Sequence, residues 1–291
     1  MTINGKTRVC GVIADPVEHS LSPVMHNFYA EQTGINLAYV PFRVPEEQVG
    51  EAVLGAFALN LLGLNVTVPH KQQVMKYVTE LDPGAEAIGA VNTLVRTAGG
   101  YKGYNTDADG LFRALQGQGI SLKGESCILL GAGGAARAVA YLLAREGARE
   151  VYILNRSGDK AELLAEEMNR RSGREVMRGM AVADWKQLPG QSYLAIQTTS
   201  VGMHPDTGSA LIEAEAFYKM LHTAVDIVYV PARTRFMELA GAQGAKTMNG
   251  LDMLLYQGII AYELWNPGVR IGASAAAEAR TLMQRHLGGT R

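Results

Sequence analysis

The stretch that decides the fold is Gly131-Ala132-Gly133-Gly134-Ala135-Ala136. The apolar run Cys127-Ile128-Leu129-Leu130 leads into it and reads as a buried parallel strand. A helical pattern rich in Ala, Leu and Arg follows, from Ala135 to Arg145. A second apolar run, Val151-Tyr152-Ile153-Leu154, closes the unit. Strand, glycine loop, helix and strand in that order form a dinucleotide-binding unit. In such a unit Gly131 permits the tight turn and Gly133 lets backbone approach a pyrophosphate. Ala136 keeps the helix close to the sheet, and the helix N-terminus faces the phosphates. The tip of the second strand then selects the cofactor. An NAD site places a carboxylate there for the ribose. Here Asn155, Arg156 and Ser157 stand at the tip, with Lys160 close behind. Two cations and a hydroxyl suit a 2′-phosphate, so NADP is the expected cofactor. Asp159 counts against a strict preference, because it can offer a carboxylate to a ribose.

Working outward, strand and helix patterns alternate on both sides of this unit. Arg8 to Ala14, Leu37 to Val44 and Gly63 to Val68 read as strands. Between and after them come helical patterns over Pro23 to Thr33, Pro45 to Leu59 and, briefly, His70 to Tyr77. Ser22 is expected to cap the first helix, with Pro23 at its first position. Ala98-Gly99-Gly100 joins Thr93 to Thr97 and Tyr101 to Tyr104 as a hairpin, an antiparallel element. A helix from Asp107 to Gln116 leads into the nucleotide unit. After it come a helix over Lys160 to Arg171 and strands near Val176 to Ala181, Tyr193 to Gln197 and Ala224 to Val228. Helices over Leu251 to Trp265 and Ala273 to Leu287 end the chain. The expected architecture is α/β in two domains. Residues 1–106 form a substrate domain with a mixed, mainly parallel sheet. Residues 107–249 form a Rossmann-type NADP-binding domain, and the helices of 250–291 return to the first domain.

Composition narrows the function class. The 291 residues are 47% hydrophobic and 19% charged, enough for two buried cores. A net charge of −1 does not call for nucleic acid or an anionic membrane as partner. No apolar run reaches membrane-spanning length. The start, Met1 to Lys6, lacks the shape of a signal peptide. Cys10 and Cys127 lie in strand-like apolar runs and read as buried free thiols. A cytoplasmic protein is expected. The six histidines lack metal-ligand spacing, so no metal is expected.

The first half carries a polar constellation. Ser20-Leu21-Ser22-Pro23 opens a helix, and two hydroxyls with the helix amides make a carboxylate receptor. Simple capping by Ser22 explains that residue equally well, though not Ser20. In Asn65-Val66-Thr67-Val68-Pro69-His70-Lys71, residues 65 and 67 share one face of a strand at its carboxyl end, where ligands sit in open α/β sheets. Lys71 is either an ordinary solvated lysine or a proton-handling group. Asp107 is either the cap of its helix or the partner of Lys71. As a pair, the two residues suit hydride transfer to a carbonyl, where an alkoxide is protonated as it forms. His70 is read as structural.

Taken together, these residues resemble the shikimate dehydrogenase family. The likeness runs through Ser20-Leu21-Ser22-Pro23, Asn65 to Lys71, Asn92, Asn105-Thr106-Asp107, the glycine loop, Asn155-Arg156-Ser157, Asn249-Gly250-Leu251 and Gln257. It implies NADP-dependent reduction of 3-dehydroshikimate to shikimate in aromatic amino-acid biosynthesis. It implies Lys71 and Asp107 as the catalytic pair. The substrate set it implies is Ser20, Ser22, Asn65, Thr67, Lys71, Asn92, Asp107, Tyr229 and Gln257. The cofactor set is Gly131, Ala132, Gly133, Gly134, Ala135, Asn155, Arg156, Ser157, Lys160 and Gly250. Ala108 and Asp252 stand where the family usually has glycine, and they bear on substrate range and rate. A quinate/shikimate dehydrogenase of dual substrate and cofactor use is the nearest alternative. A non-catalytic metabolite sensor is the alternative of another class, and the paired Lys71 and Asp107 speak against it. Relatives of this architecture occur as monomers and as homodimers.

Overall fold

The computed structural model describes residues 2–289. The chain divides into two compact units, Met1–Gly110 with Leu254–Arg291, and Leu111–Met253. Both crossings fall inside helices, Asp107–Gly117 and Leu251–Trp265.

The first unit is built on six strands: β1 (Arg8–Ala14), β2 (Leu37–Arg43), β3 (Gly63–Val66), β4 (Glu80–Leu81), β5 (Thr93–Arg96) and β6 (Tyr101–Tyr104). Their order is β2-β1-β3-β5-β6-β4. The pairs β1–β2, β1–β3 and β4–β6 are parallel, while β3–β5 and β5–β6 are antiparallel. The sheet is therefore mixed, and the hairpin supplies its antiparallel part. Side chains of β1 alternate between two cores, as strand pleating requires. Cys10, Val12 and Ala14 pack with Tyr39, Ala261 and Trp265. Ile13 packs on the other face with Leu64, Val66, Val53 and Val74. The penultimate helix, Leu251–Trp265, is anchored by Trp265, whose indole N–H donates to Leu94 O at 2.9 Å. That indole lies where a side chain on Gly63 would otherwise stand.

The second unit carries β7 (Ser126–Leu130), β8 (Glu150–Asn155), β9 (Met177–Ala181), β10 (Tyr193–Gln197), β11 (Leu221–Asp226) and β12 (Lys246–Met248). Their order is β12-β11-β10-β7-β8-β9, and every pairing is parallel. This is the doubly wound order, with its switch point between β7 and β10. Residues of β7 are buried along its whole length, which explains its unbroken apolar run. Among the described residues no helix is long and apolar enough to cross a membrane.

Several local expectations change. Ser22 does not cap its helix: the helix spans Ser22–Thr33, Leu21 holds the cap position, and no side chain caps it. Instead Ser20 Oγ accepts from the Ser22 backbone N–H at 3.3 Å. The strand expected to reach Val68 ends at Val66, so Thr67 lies just beyond it. No α-helix begins at His70. A short 3₁₀ turn covers Gln73–Tyr77 and leaves Lys71 in the loop before it, not at the start of a helix of its own. The last long strand is Leu221–Asp226 rather than Ala224 to Val228, because the Asp226 carboxylate accepts from Val228 N at 2.9 Å and turns the chain. The short elements Glu80–Leu81, Pro83–Ile88, Glu215–Tyr218, Arg235–Ala242 and Lys246–Met248 carry too few residues to show a period.

Candidate active site

Lys71 and Asp107 are 36 positions apart in the chain, and the first unit brings them into contact. Lys71 Nζ donates to Asp107 Oδ2 at 2.6 Å, with side chains only 12% and 6% exposed. Asn92 Nδ2 donates to the other carboxylate oxygen, Oδ1, at 2.9 Å. Both oxygens are thus engaged laterally. The cap of the helix falls instead to Asn105, whose Oδ1 accepts from the Asp107 backbone N–H at 3.0 Å. This arrangement decides the two open readings: Asp107 does not cap its helix, and Lys71 is not a solvated lysine.

A buried polar cluster spreads from this pair. Asn92 Oδ1 accepts from the Thr106 backbone N–H at 2.8 Å and from Thr93 Oγ1 at 2.9 Å. Asn65 Nδ2 donates to Thr93 Oγ1 at 3.1 Å, and Tyr39 OH donates to Asn65 Oδ1 at 2.7 Å. Burial holds the Tyr39 phenol well above its usual range, while the neighbouring Ser22 hydroxyl opposes that shift. Gln257 Oε1 lies 3.5 Å from Asn92 Nδ2 and 3.4 Å from Thr106 Oγ1. Gln257 reaches the cluster because Gly110 has no side chain; a Cβ there would meet the Gln257 backbone at 2.7 Å. The structure therefore joins Asn65, Lys71, Asn92, Asp107 and Gln257 by hydrogen bonds, with Ser22 buried beside Tyr39. Ser20 is tied in only through the Ser22 backbone. Thr67 is half-buried, its backbone N–H on Ile13 O at 3.1 Å, and its hydroxyl does not enter the cluster. His70 is buried and faces Val44 O at 2.8 Å through Nε2, a structural contact as expected.

In the second unit the glycine loop sits at the switch point. Gly131 has φ +111°, a conformation that side chains resist, and a Cβ there would meet Thr198 Oγ1 at 2.8 Å. Gly133 occupies the cap position of the helix Gly134–Arg145, with no side chain capping the helix and nothing within 4 Å of where a Cβ would stand. The first amides of this helix thus have no side-chain cap, an arrangement able to receive an anion. At the end of β8, Asn155 Nδ2 donates to Ser157 O at 3.0 Å and shapes the turn. Arg156 and Lys160 are exposed and free of ion pairs among the described residues, and Asp159 is exposed beside them. Backbone donors and two free cations are the donor set that a dinucleotide with an extra phosphate requires. Gly250 and Tyr229 lie on the β11 side of the same sheet. A Cβ on Gly250 would run into the Ile227 carbonyl, and Gly250 N–H donates to Val228 O at 3.0 Å. Burial raises the Tyr229 phenol above its ordinary range.

Comparison with known proteins finds matches in both halves of the chain. The family model for the shikimate dehydrogenase substrate binding domain matches residues 12–94. The model for shikimate / quinate 5-dehydrogenase matches residues 114–183. A shikimate dehydrogenase (NADP(+)) of Desulforamulus reducens is 47% identical over 272 residues, covering 90% of this chain and 91% of that protein. This chain belongs to the shikimate dehydrogenase family. A crystal structure of a shikimate dehydrogenase in complex with NADP+ superposes with a TM-score of 0.87 at 37% identity, covering 98% of each chain. The Thermus thermophilus shikimate 5-dehydrogenase in complex with NADP(H) and shikimate has a TM-score of 0.82 at 36% identity. It covers 95% of this chain and all of that one. The α/β class, with one mixed and one parallel sheet, is that of these shikimate dehydrogenases.

Two members of the cluster were not singled out from the sequence of this member of the shikimate dehydrogenase family: Tyr39 and Thr93. Thr93 opens a strand and reads as an ordinary β-former. Its signal is the antiparallel register, which sets Thr93 directly across from Asn65. Tyr39 reaches Asn65 over the intervening strand β1, where Cys10 is its parallel neighbour. Neither relation is visible without strand pairing.

Proposed function

We propose that this chain is an NADP-dependent shikimate dehydrogenase that interconverts 3-dehydroshikimate and shikimate. The observation that carries the reading is the buried ion pair of Lys71 and Asp107, 2.6 Å apart and braced by Asn92. A ketone reduced by hydride needs one proton at its oxygen, from a group held in a fixed place. Lys71 gives that proton to the C3 oxygen, and takes it back when shikimate is oxidised. Asp107 remains a carboxylate and fixes the ammonium. Asn65, Asn92 and Gln257 hold ring hydroxyls. Ser20 and Ser22 receive the substrate carboxylate, with Thr67 nearby, and Tyr229 completes the substrate set.

The open loop at Gly133 and the positive φ of Gly131 make the residues of the second unit fit a dinucleotide. When bound, NADPH supplies the hydride. Residues 131–135 hold its pyrophosphate, Asn155, Arg156, Ser157 and Lys160 surround the 2′-phosphate, and Gly250 belongs to the same cofactor set. A place in aromatic amino-acid biosynthesis goes with this activity. Two buried free thiols support a cytoplasmic enzyme.

Steady-state absorbance of the reduced nicotinamide, with shikimate or quinate and with NADP+ or NAD+, tests the reading. The highest kcat/KM is expected for shikimate with NADP+. Turnover of neither acid overturns the assignment, and a preference for quinate replaces its substrate.

A further inference from the structure

One backbone donor sets the direction of every amide in the buried cluster. The Thr106 N–H can only donate, and it reaches Asn92 Oδ1 at 2.8 Å. Asn92 therefore turns its Nδ2 toward Asp107. An amide oxygen accepts and never donates. The Thr93 hydroxyl, 2.9 Å from Asn92 Oδ1, must direct its single proton there. With no proton left, Thr93 Oγ1 can only accept from Asn65, so the atom it meets at 3.1 Å is Nδ2. The other N–H of that amide goes to Asn92 O at 3.3 Å. Asn65 Oδ1 then faces Tyr39, whose hydroxyl donates to it at 2.7 Å. Thr93 is fully buried and Asn65 is 6% exposed, so water does not compete for these positions.

Both N–H groups of Asn65 are thereby used inside the protein. What it has left is one lone pair on Oδ1. We propose that Thr93 is a positioning residue for the dehydrogenase reaction: its hydroxyl locks Asn65 as a hydrogen-bond acceptor for a ring hydroxyl of the substrate. This rests on the functional reading above. The substrate hydroxyl donates to Asn65 and keeps its lone pairs for the donors around it. A flipped Asn65 would present N–H₂ instead and would break its bond with Tyr39.

The test compares Thr93→Val, which keeps the shape and removes the hydroxyl, with Thr93→Ser, which restores it. Each is made in the wild type and in Asn65→Ala, with thermal melts to confirm folding. Thr93→Val is expected to lower kcat/KM for shikimate about tenfold, mainly through KM, the scale of one hydrogen bond. The KM for NADP+ stays unchanged, and Thr93→Ser recovers most of the loss. In the Asn65→Ala background Thr93→Val adds less than about a twofold loss, because its target is gone. A wild-type kcat/KM in Thr93→Val, failure of Thr93→Ser to rescue, or an undiminished loss in Asn65→Ala overturns the proposal. Should Thr93→Val not fold, Tyr39→Phe removes the donor on the far side of Asn65. It is expected to raise the shikimate KM in the same way, and an unchanged KM overturns the proposal. If the wild type does not oxidise shikimate with NADP+, the functional reading falls first, and this inference with it.

Discussion

Replacing Lys71 with Met separates the chemical from the structural part of the ion pair. The ammonium and the carboxylate are 12% and 6% exposed. Removing one partner of such a pair leaves a buried charge without compensation, at a cost of roughly 3–5 kcal/mol. Asn92 Nδ2 still donates to Asp107 Oδ1 in the variant, so the lower end of that range, about 3 kcal/mol, is expected for Lys71→Met. Turnover should fall by about two to four orders of magnitude, the usual scale for a lost acid–base group. The double variant Lys71→Met/Asp107→Asn removes the stranded charge and keeps an oxygen for Asn92. It should regain most of the lost stability and none of the lost turnover. Stability is read by urea unfolding. The chain has two tryptophans, Trp185 in the second unit and Trp265 in the first, where it is 1% exposed. In a Trp185→Phe background, fluorescence of Trp265 reports the unit that contains the pair. A Lys71→Met enzyme within about tenfold of wild-type kcat would refute the proton-transfer role. A double variant no more stable than the single one would refute the buried-charge argument.

Three further outcomes follow from individual residues. Arg156→Ala should raise the KM for NADP+ at least about tenfold and leave that for NAD+ within about twofold, since one charged hydrogen bond to phosphate is lost; equal losses would contradict the 2′-phosphate assignment. His26 is buried against Tyr39, neither ring nitrogen makes a hydrogen bond of good geometry, and burial lowers its pKa to about 3 against a weaker opposing effect of the Asn65 side chain. Its stabilising contribution is full above the unfolded value of 6.5 and is lost as pH falls toward 3, on the order of 5 kcal/mol in all; His26→Phe should flatten that acid limb in urea titrations followed by Trp265, and an unchanged slope would count against it. Asp226 runs the opposite way: burial raises its carboxyl to about 7, so its contribution is full below 3.8 and declines as pH rises to 7, by on the order of 4 kcal/mol. Asp226→Asn should abolish that decline in urea titrations followed by Trp185, and a persisting slope would show that groups other than Asp226 cause it.

How much of this was legible in the sequence depends on the range of the interaction. The Rossmann-type sheet could be read because β7 is buried on both faces and the glycine loop follows it directly. Strand β12, three residues long, and the helix Glu215–Tyr218 are held by neighbours rather than by a local pattern. The Ser22 cap failed because the helix begins one residue earlier than its pattern suggests: Ser22 is already its first residue, and Leu21, which has no side-chain acceptor, holds the cap position. For Asp107 the sequence offered two roles, and only tertiary contact decides between them. A cap bond is local, whereas Lys71 approaches from the loop after β3 and Asn92 from the residue before β5. Thr93 was invisible for the same reason, since its meaning lies in the residue across the sheet.

The way these bonds close has a consequence for how faults spread. Every hydrogen bond of the Lys71, Asp107, Asn92, Thr93, Asn65 and Tyr39 cluster begins and ends within Met1–Gly110, and Gln257 joins it from Leu254–Arg291, in the same unit. The glycine loop and the Arg156 turn close their contacts within Leu111–Met253. The Lys71–Asp107 pair and the Arg156 turn thus rest on separate sets of bonds, and sites that share no partner contribute additively. Combining Arg156→Ala with Lys71→Met should therefore multiply the two losses in kcat/KM, whereas combining Thr93→Val with Asn65→Ala should not. Cooperative loss in the first combination would mean that the ammonium is held by something other than the bonds seen around it.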